Sequence, residues 1–536
     1  MHLKKILPFL IVFFALPFLA SAQITTSGIS GTVKNNKNEA LVGATITATH
    51  EPTGTVYKTQ SRTNGRFDIP NMNNGGPYVI EVSYVNHDND KKEEIYLNLG
   101  EPFRVDFFLK QKATTLKEIV VATTAKNDAG AKGGTGSSIS KDKIELTTAV
   151  GRNIYDYIKR IPFARTLGGN EGAVTIAGQN NRYNSFYIDG AINNDVFGLA
   201  NSGTNGGQTG GNPISIDAVD QFQVFISPYD ASVGNFTGGG INAVTKSGTN
   251  KIEGSIYYFL RNEKLAGKNP LQRKDTAQRF SPFKNKTYGA RLGGPIIKNK
   301  LFYFVSYEQQ RDETPQNYDF STYRGNTNTT AGIQTLIDFV KNTYNYNMGD
   351  WLSTTRKLEA DRITGKVDWN ISSKHRLSVS YRYNKLVATN PSLSSTTSIT
   401  FGNNAVYFPS TTKSFSGELK SSLRKNISNK LLFTYSDVTD DRGIVGDPFP
   451  RVTLNDGSGT INFGSDNSST QNYLKQKNLG IVDNVKWNIR NHTLTLGVDY
   501  ERFSDVNVFI QNTFGITTTV LLPADLQVFK NSLPTT

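Results

Sequence analysis

The 536-residue sequence contains no cysteine, three tryptophans, three methionines and five histidines. Without cysteine there is no disulfide framework and no thiolate metal site. The histidines stand at positions 2, 50, 87, 375 and 492, with no HxxE or HExxH spacing, so an exported metallohydrolase has no ligand set to build on. His50 and His87 fall near turn signals and are expected to be exposed loop residues. Long apolar runs are missing beyond the N-terminal segment, and the mean hydropathy is −0.42, which excludes a polytopic helical membrane protein. Acidic residues are in deficit. Lys and Arg total 59 against 45 Asp and Glu, a formal charge of +14. What is abundant is Gly (48), Phe (31) and Tyr (24), with much Asn, Ser and Thr, the mixture of a large β protein.

Residues 1–22, MHLKKILPFLIVFFALPFLASA, carry a basic start at Lys4 and Lys5, an apolar stretch from Ile6 to Leu19, and the small-x-small signal Ala20-Ser21-Ala22. This reads as a secretory signal peptide, too short and too poorly flanked for an anchor. Export changes the meaning of the positive charge. A basic cytosolic protein could bind nucleic acid, whereas scattered charges on an exported chain fit solvated loops near anionic lipid headgroups, and no nucleic acid is expected as a partner.

Residues 23–110 hold short alternating strands between turn signals, among them Gly28–Val33, Leu41–Ala48, Tyr78–Val85 and Phe103–Leu109, with an Asn64-Gly65 turn. The pattern predicts an immunoglobulin-like β-sandwich. Residues 111–136 form a linker with one β-prone island, Leu116, Lys117, Glu118, Ile119, Val120, Val121, Ala122 and Thr123. It suits either a last sandwich strand or a segment available for strand addition. In residues 137–250, Ile154, Tyr157, Ile158 and Ile161 form a helical stripe ended by Pro162, followed by short strands, an Asp189-Gly190 turn, a glycine-rich loop at 201–212 and Gly238-Gly239-Gly240. This predicts a small α/β domain. The triple glycine lacks the Lys-Ser/Thr of a nucleotide loop.

Residues 251–536 repeat one theme. Ile363, Val367 and Trp369 alternate with Thr364, Lys366 and Asp368; Leu377, Val379, Tyr381 and Tyr383 alternate with Arg376, Ser378, Ser380 and Arg382. A period of two with one apolar face predicts strands. Some connections are short, as at 372–374, and others long, as at 312–358 and 439–476. That inequality marks an outer-membrane barrel, whereas a soluble β-sandwich or propeller array explains the alternation but not the loops; an exported surface adhesin of β-domains fits the composition but predicts tandem repeats, and the sequence shows none. The predicted fold is mainly β: an N-terminal sandwich, a small α/β domain and a partial antiparallel transmembrane barrel.

Four stretches carry a family resemblance. LKEIVVAT (116–123), VTIAGQNNRYNSFYIDG (174–190), VDQFQVFISPYDASVGNFTGGGINAVTKSGTN (219–250) and ARLGGPIIKNKLFYFVSYE (290–308) resemble the TonB box, plug and first barrel hairpins of the TonB-dependent outer-membrane receptors. The 290–308 match is closest to the Oar-like subgroup. SGTV-type residues 29–33, LVGATI at 41–46 and TNGRFDI at 63–69 resemble the carboxypeptidase regulatory-like domain that this subgroup carries. Ala177-Gly178 stands where the plug pattern has Arg-Gly, and Ile226-Ser227-Pro228 replaces a Lys/Arg-Gly-Pro turn. Plug signatures of the SusC-like subgroup are absent, which weakens any expectation of a lipoprotein lid.

The resemblance implies a receptor, not an enzyme, in the outer membrane, with no cofactor. An extracellular nutrient would bind on plug loops, with Asn181, Arg182, Tyr183 and Asn193 as candidate contacts. TonB, with ExbB and ExbD, would capture residues 116–123 and supply energy. Siderophore, peptide, oligosaccharide and cobalamin-like cargo all fit. A plugged lumen belongs to barrels of about 22 strands. About ten strands are recognisable in residues 251–536 and no terminal aromatic strand is seen, so the expectation is an N-terminal part of a receptor.

Overall fold

The computed structural model describes residues 25–112 and 134–521, apart from 101, 148, 150, 167–172, 229, 231, 269–278 and 490–491. The expected signal peptide and the 116–123 segment therefore lie outside the described residues.

The first unit is a two-sheet sandwich. One sheet holds β1 (Ser27–Asn35), β4 (Arg66–Met72), β7 (Pro102–Arg104) and β8 (Phe107–Leu109); the other holds β2 (Thr45–His50), β3 (Thr55–Gln60), β5 (Gly75–Ser83) and β6 (Asp90–Leu97). Alternate residues point inward, so Ile46 and Ala48 of β2 meet Tyr78, Ile80 and Val82 of β5 in a core closed by Phe67 and Phe107. Where the chain passes from β7 to β8, Asp106 accepts from both the backbone N–H and the hydroxyl of Thr32, each at 2.8 Å.

The two histidines are not exposed loop residues. His50 continues the inward series of Ile46 and Ala48, is 7% exposed, shares a hydrogen bond with Thr53 Oγ1 at 2.7 Å and lies 4.7 Å from the Tyr78 ring. His87 is buried in a turn, its Nδ1 2.9 Å from the Val85 carbonyl. Alternation decides the fate of the first, and local backbone bonding that of the second.

The second unit is a mixed five-stranded sheet in the order β13-β12-β15-β14-β9, made of β9 (Gly134–Ile139), β12 (Ser185–Ile188), β13 (Ala191–Ile192), β14 (Val219–Pro228) and β15 (Gly240–Thr245). A separate hairpin joins β10 (Ala164–Thr166) to β11 (Val174–Ile176). Two short helices, α1 (Lys141–Leu146) and α2 (Ile154–Ile158), accompany the sheet; Asn153 caps α2 by accepting from Tyr155 N–H. The expected stripe of Ile154, Tyr157, Ile158 and Ile161 lies in the core, joined by Tyr155. Asp189 and Gly190 turn β12 into β13 with φ of 48° and 79°, as a two-residue hairpin requires.

The third unit is a meander of nine antiparallel strands: β16 (Glu253–Asn262), β17 (Lys284–Ile297), β18 (Leu301–Asn317), β19 (Ser353–Asn370), β20 (His375–Asn390), β22 (Val406–Arg424), β23 (Ile427–Asp441), β26 (Tyr473–Ile489) and β27 (His492–Val508). Connections alternate strictly between short turns at one rim and long excursions at the other. Ile363, Val367 and Trp369 are 40–41% exposed, whereas Arg362 and Thr364 are 3% exposed and Lys366 9%. Along β19 apolar side chains face out and polar ones in. A water-soluble sandwich would do the reverse, and this inversion is the mark of a membrane barrel wall. Among the described residues β16 and β27 each pair on one side only, so the wall is an open sheet.

The long excursions are not plain loops. β21 (Ser398–Thr400), β24 (Arg451–Asp456), β25 (Gly459–Phe463) and β28 (Ile516–Leu521) form a four-stranded sheet, on which the 15-residue α3 (Thr330–Tyr344) packs through Ile333, Leu336 and Val340. Asp456 ties the excursions together, accepting from Tyr323 OH at 2.9 Å and from the Thr327 hydroxyl at 2.9 Å. The long-loop rim thus carries one cored cap.

Burial pulls the His50 pKa from 6.5 down to about 4, so the folded sandwich holds the neutral ring. A depressed histidine contributes stability that is complete above its unfolded pKa and is lost as pH falls from 6.5 toward about 4. The sandwich is expected to lose on the order of 3 kcal/mol across that window, and His50→Gln should flatten the dependence. Urea-dependent proteolysis within residues 25–112 at neutral pH and at about pH 4 measures both; an equal loss in the variant would show that other groups carry it.

Candidate functional site

The α/β unit sits against the polar concave face of the nine-stranded wall and is held at three levels. At mid-height, Glu308 of β18 accepts from Arg362 Nη1 at 3.0 Å, from Ser215 Oγ at 2.7 Å and from Tyr257 OH at 2.9 Å. Arg362 spends its other donors on the Asn212 carbonyl (3.1 Å) and Gln310 Oε1 (3.0 Å). Both charged side chains are nearly sealed from solvent, at 3% and 5% exposure. All three Arg362 nitrogens donate and both Glu308 oxygens accept, the kind of satisfaction under which a buried pair is tolerated. Beside it Arg152 pairs with Asp217 and lies 3.9 Å above the Phe259 ring.

Toward the short-turn rim, Asp189 accepts from Thr245 N–H (2.9 Å) and Oγ1 (2.7 Å), with Lys366 Nζ at 3.8 Å. Ser416 of the wall donates to the Asp189 carbonyl at 2.7 Å. Toward the long-loop rim, Arg442 donates to Gln208 at 2.7 Å while stacking 4.4 Å from Phe408. Within the unit, burial raises the Tyr155 pKa to about 12; its hydroxyl meets Thr204 and the Ser202 carbonyl, each at 3.3 Å.

The four candidate ligand contacts separate into two kinds. Asn181 and Asn193 are buried. The Asn181 amide donates to the Asn201 carbonyl, and the Asn193 backbone links Phe186 to Asn205. Arg182 and Tyr183 are exposed, Tyr183 at 57%, on a single helical turn capped by Asn180. The adjacent 195–203 loop, joined to that turn by the Asn181–Asn201 bond, adds exposed Val196, Phe197 and Leu199. Sequence reading missed these apolar residues because an apolar residue in a loop gives no periodic signal. It also missed the anchors Glu308, Arg362 and Asp189, although Arg and Glu at inward positions of a period-two strand were there to be read. The triple glycine serves packing: a Cβ at Gly239 would run into Ile176, and one at Gly240 into Phe236.

Glu308→Ala leaves the Arg362 guanidinium buried without its counter-ion and is expected to cost about 3–5 kcal/mol, while Glu308→Leu with Arg362→Met recovers most of that loss. Urea-dependent protease cutting within residues 137–250 reads the release of the unit; equal sensitivity of wild type and Glu308→Ala would remove the pair from the anchoring set.

A family model described as an outer membrane beta barrel domain matches residues 244–350 and 325–520. A TonB-dependent receptor plug domain matches 131–241, and a carboxypeptidase regulatory-like domain matches 28–110. The chain is 25% identical over 417 residues to the TonB-dependent transporter Oar of Myxococcus xanthus, covering 70% of this chain and 35% of that protein. Its fold is similar to that of the outer membrane transporter YddB from Escherichia coli, with a TM-score of 0.51 at 13% identity, over 69% of this chain and 48% of that one. The siderophore receptor PirA from Acinetobacter baumannii superposes at a TM-score of 0.46 and 16% identity, over 72% of this chain and 50% of that one. The chain thus spans about a third of the Oar protein and half of each solved receptor. With an apolar-out, polar-in wall gripping a plug, and a barrel match over about half its length, it belongs to the TonB-dependent outer-membrane receptors, a family of receptors and transporters rather than of enzymes.

Proposed function

We propose that this chain is the receptor part of an importer that binds an extracellular nutrient and passes it to the periplasm with energy delivered by TonB. The observation that carries the reading is the three-level anchoring of the plug by buried charged and polar contacts to the wall. A plug held this firmly needs work from outside the molecule to move. In the family's orientation short turns face the periplasm and long connections the exterior, so the cap and the plug surface at Arg182 and Tyr183 would meet the ligand. Arg182 and Tyr183 are proposed as contacts, and Asn181 and Asn193 as the residues that position them. The outward apolar face would meet outer-membrane lipid.

Energy would enter through residues 116–123, added as a strand to a sheet edge of TonB, itself driven by ExbB and ExbD. Val120 and Val121 favour an extended backbone, and main-chain bonds would supply the affinity. Val120→Pro removes one N–H from that strand. It is expected to abolish uptake while leaving ligand binding at the cell surface intact. Uptake by this variant at the wild-type rate would sink the assignment of 116–123 as the TonB contact.

A further inference from the structure

Beneath the plug, on the short-turn side, lies a cavity of about 1020 Å³. Its ceiling is the plug around Asp189, Asp220 and Lys246, and its wall includes Ser380 and Glu418 of the barrel. Its floor is the sandwich, through His50, Thr53, Asn74 and Leu97. The lining is polar and charged: burial raises the pKa of Asp220, and burial with the charge of Arg291 brings Lys246 down to about 8.

The sandwich is fastened to both other units along one face. To the plug, the Gln221 side-chain amide behaves like a strand's backbone: its oxygen accepts from Leu99 N–H at 2.9 Å and its nitrogen donates to the Leu97 carbonyl at 3.4 Å. Asn74 donates to Asp220 at 2.7 Å. To the barrel turns, Arg376 donates to the Val56 carbonyl at 2.8 Å and stacks 4.0 Å from the Tyr57 ring, Asn370 donates to Thr55 at 2.9 Å, and Lys425 to Gln60 at 2.9 Å. Two glycines permit the close approach. Gly54 (φ +63°) would drive a Cβ into Asn299, itself held by Asn250, and Gly100 (φ +69°) would drive one into Gln223.

These contacts are specific, they come from both partners, and they hold the sandwich across the short-turn side of the plug, where it lines the cavity together with plug and wall. We propose that the docked sandwich is a periplasmic gate: it forms the floor of a vestibule under the plug and must undock before cargo can leave. The proposal rests on the import reading above for what passes through, but the docking and its effect on access do not.

The absence of native cysteine makes a single introduced thiol a clean probe. Ser380→Cys is nearly isosteric and places the thiol on the barrel wall of the vestibule, at a position 4% exposed. Two undocking backgrounds are used. Gly54→Asn with Gly100→Asn puts wedges at two positions whose left-handed backbone asparagine accepts. Asn370→Ala with Arg376→Leu removes two of the three barrel-side donors and leaves the sandwich sequence untouched. In the purified full chain in detergent, a bulky maleimide is expected to label the Ser380→Cys thiol about tenfold or more faster in both backgrounds than in the docked protein. Equal rates in all three overturn the gate. In cells, Gln60→Cys with Lys425→Cys is bridged by a reducible bis-maleimide. Uptake lost on bridging and regained on cleavage supports the gate, and undiminished uptake with the bridge intact overturns it. If the unbridged receptor imports nothing, the import reading fails, and the labelling rates alone decide whether the sandwich guards the vestibule.

Discussion

Hydrocarbon offers no hydrogen bond to a peptide group, and the rest of this molecule follows from that constraint. A wall in such a medium has to satisfy its backbone through inter-strand ladders, and the nine-stranded meander does so with unbroken registers such as Leu301–Asn317 against Ser353–Trp369. Once the outward side chains are Ile363, Val367 and Trp369, the period of two makes the inward ones Arg362, Thr364 and Lys366. A polar inner face cannot be filled by an ordinary apolar core. What fills it has to present carboxylates, amides and hydroxyls at matching positions, which is why Ser215, Asn212, Asp217, Asp189 and Gln208 lie on the plug's wall-facing surface, while its core of Ile158, Phe186, Phe222 and Val224 is joined from the wall by Phe304.

How much of this could be read from the sequence depended on whether the signal was local. The alternation of residues 363–369 and 376–383 is local, and so was visible. So were the Asp189-Gly190 turn and the buried face of α2. His50 was misjudged although Ile46, Ala48 and His50 share one face of a strand; its proximity to a turn outweighed a periodicity that was the better guide. The cap was invisible for a different reason. Tyr323, Leu336, Phe401 and Leu454 come from three excursions separated in sequence by barrel strands, and their shared core exists only after the barrel has brought the excursions to one rim.

The candidate ligand residues illustrate a limit of composition. Asparagine in a loop looks the same whether its amide faces a carbonyl, as in Asn181, or solvent. Exposure of Arg182 and Tyr183 and burial of Asn181 and Asn193 are set by the neighbouring 195–203 loop, which closes over one side of the turn. The docking face of the sandwich was equally hidden, since Gln221, Arg376 and Gly100 lie far apart in sequence and carry no motif.

The two attachments differ in kind. The plug's mid-level anchor is an ion pair with almost no access to water, and removing one partner of such a pair costs about 3–5 kcal/mol. The sandwich is held by several dispersed contacts: neutral bonds from Gln221 and Asn370, each worth about 0.5–1.5 kcal/mol net, charged ones through Asp220, Arg376 and Lys425, and the Arg376–Tyr57 stack, worth about 1–2 kcal/mol. Several of these groups, Gln60 and Lys425 among them, already touch water, which softens the loss when they part. A load applied to the chain between Lys112 and Gly134 bears on the sandwich at one end and on β9 at the other. The gate proposed above requires the sandwich to yield first, so that the floor beneath the plug parts before the plug leaves the wall. That order is physically sensible for an importer, because an exit opened before the plug moves gives the cargo somewhere to go as soon as its path is cleared.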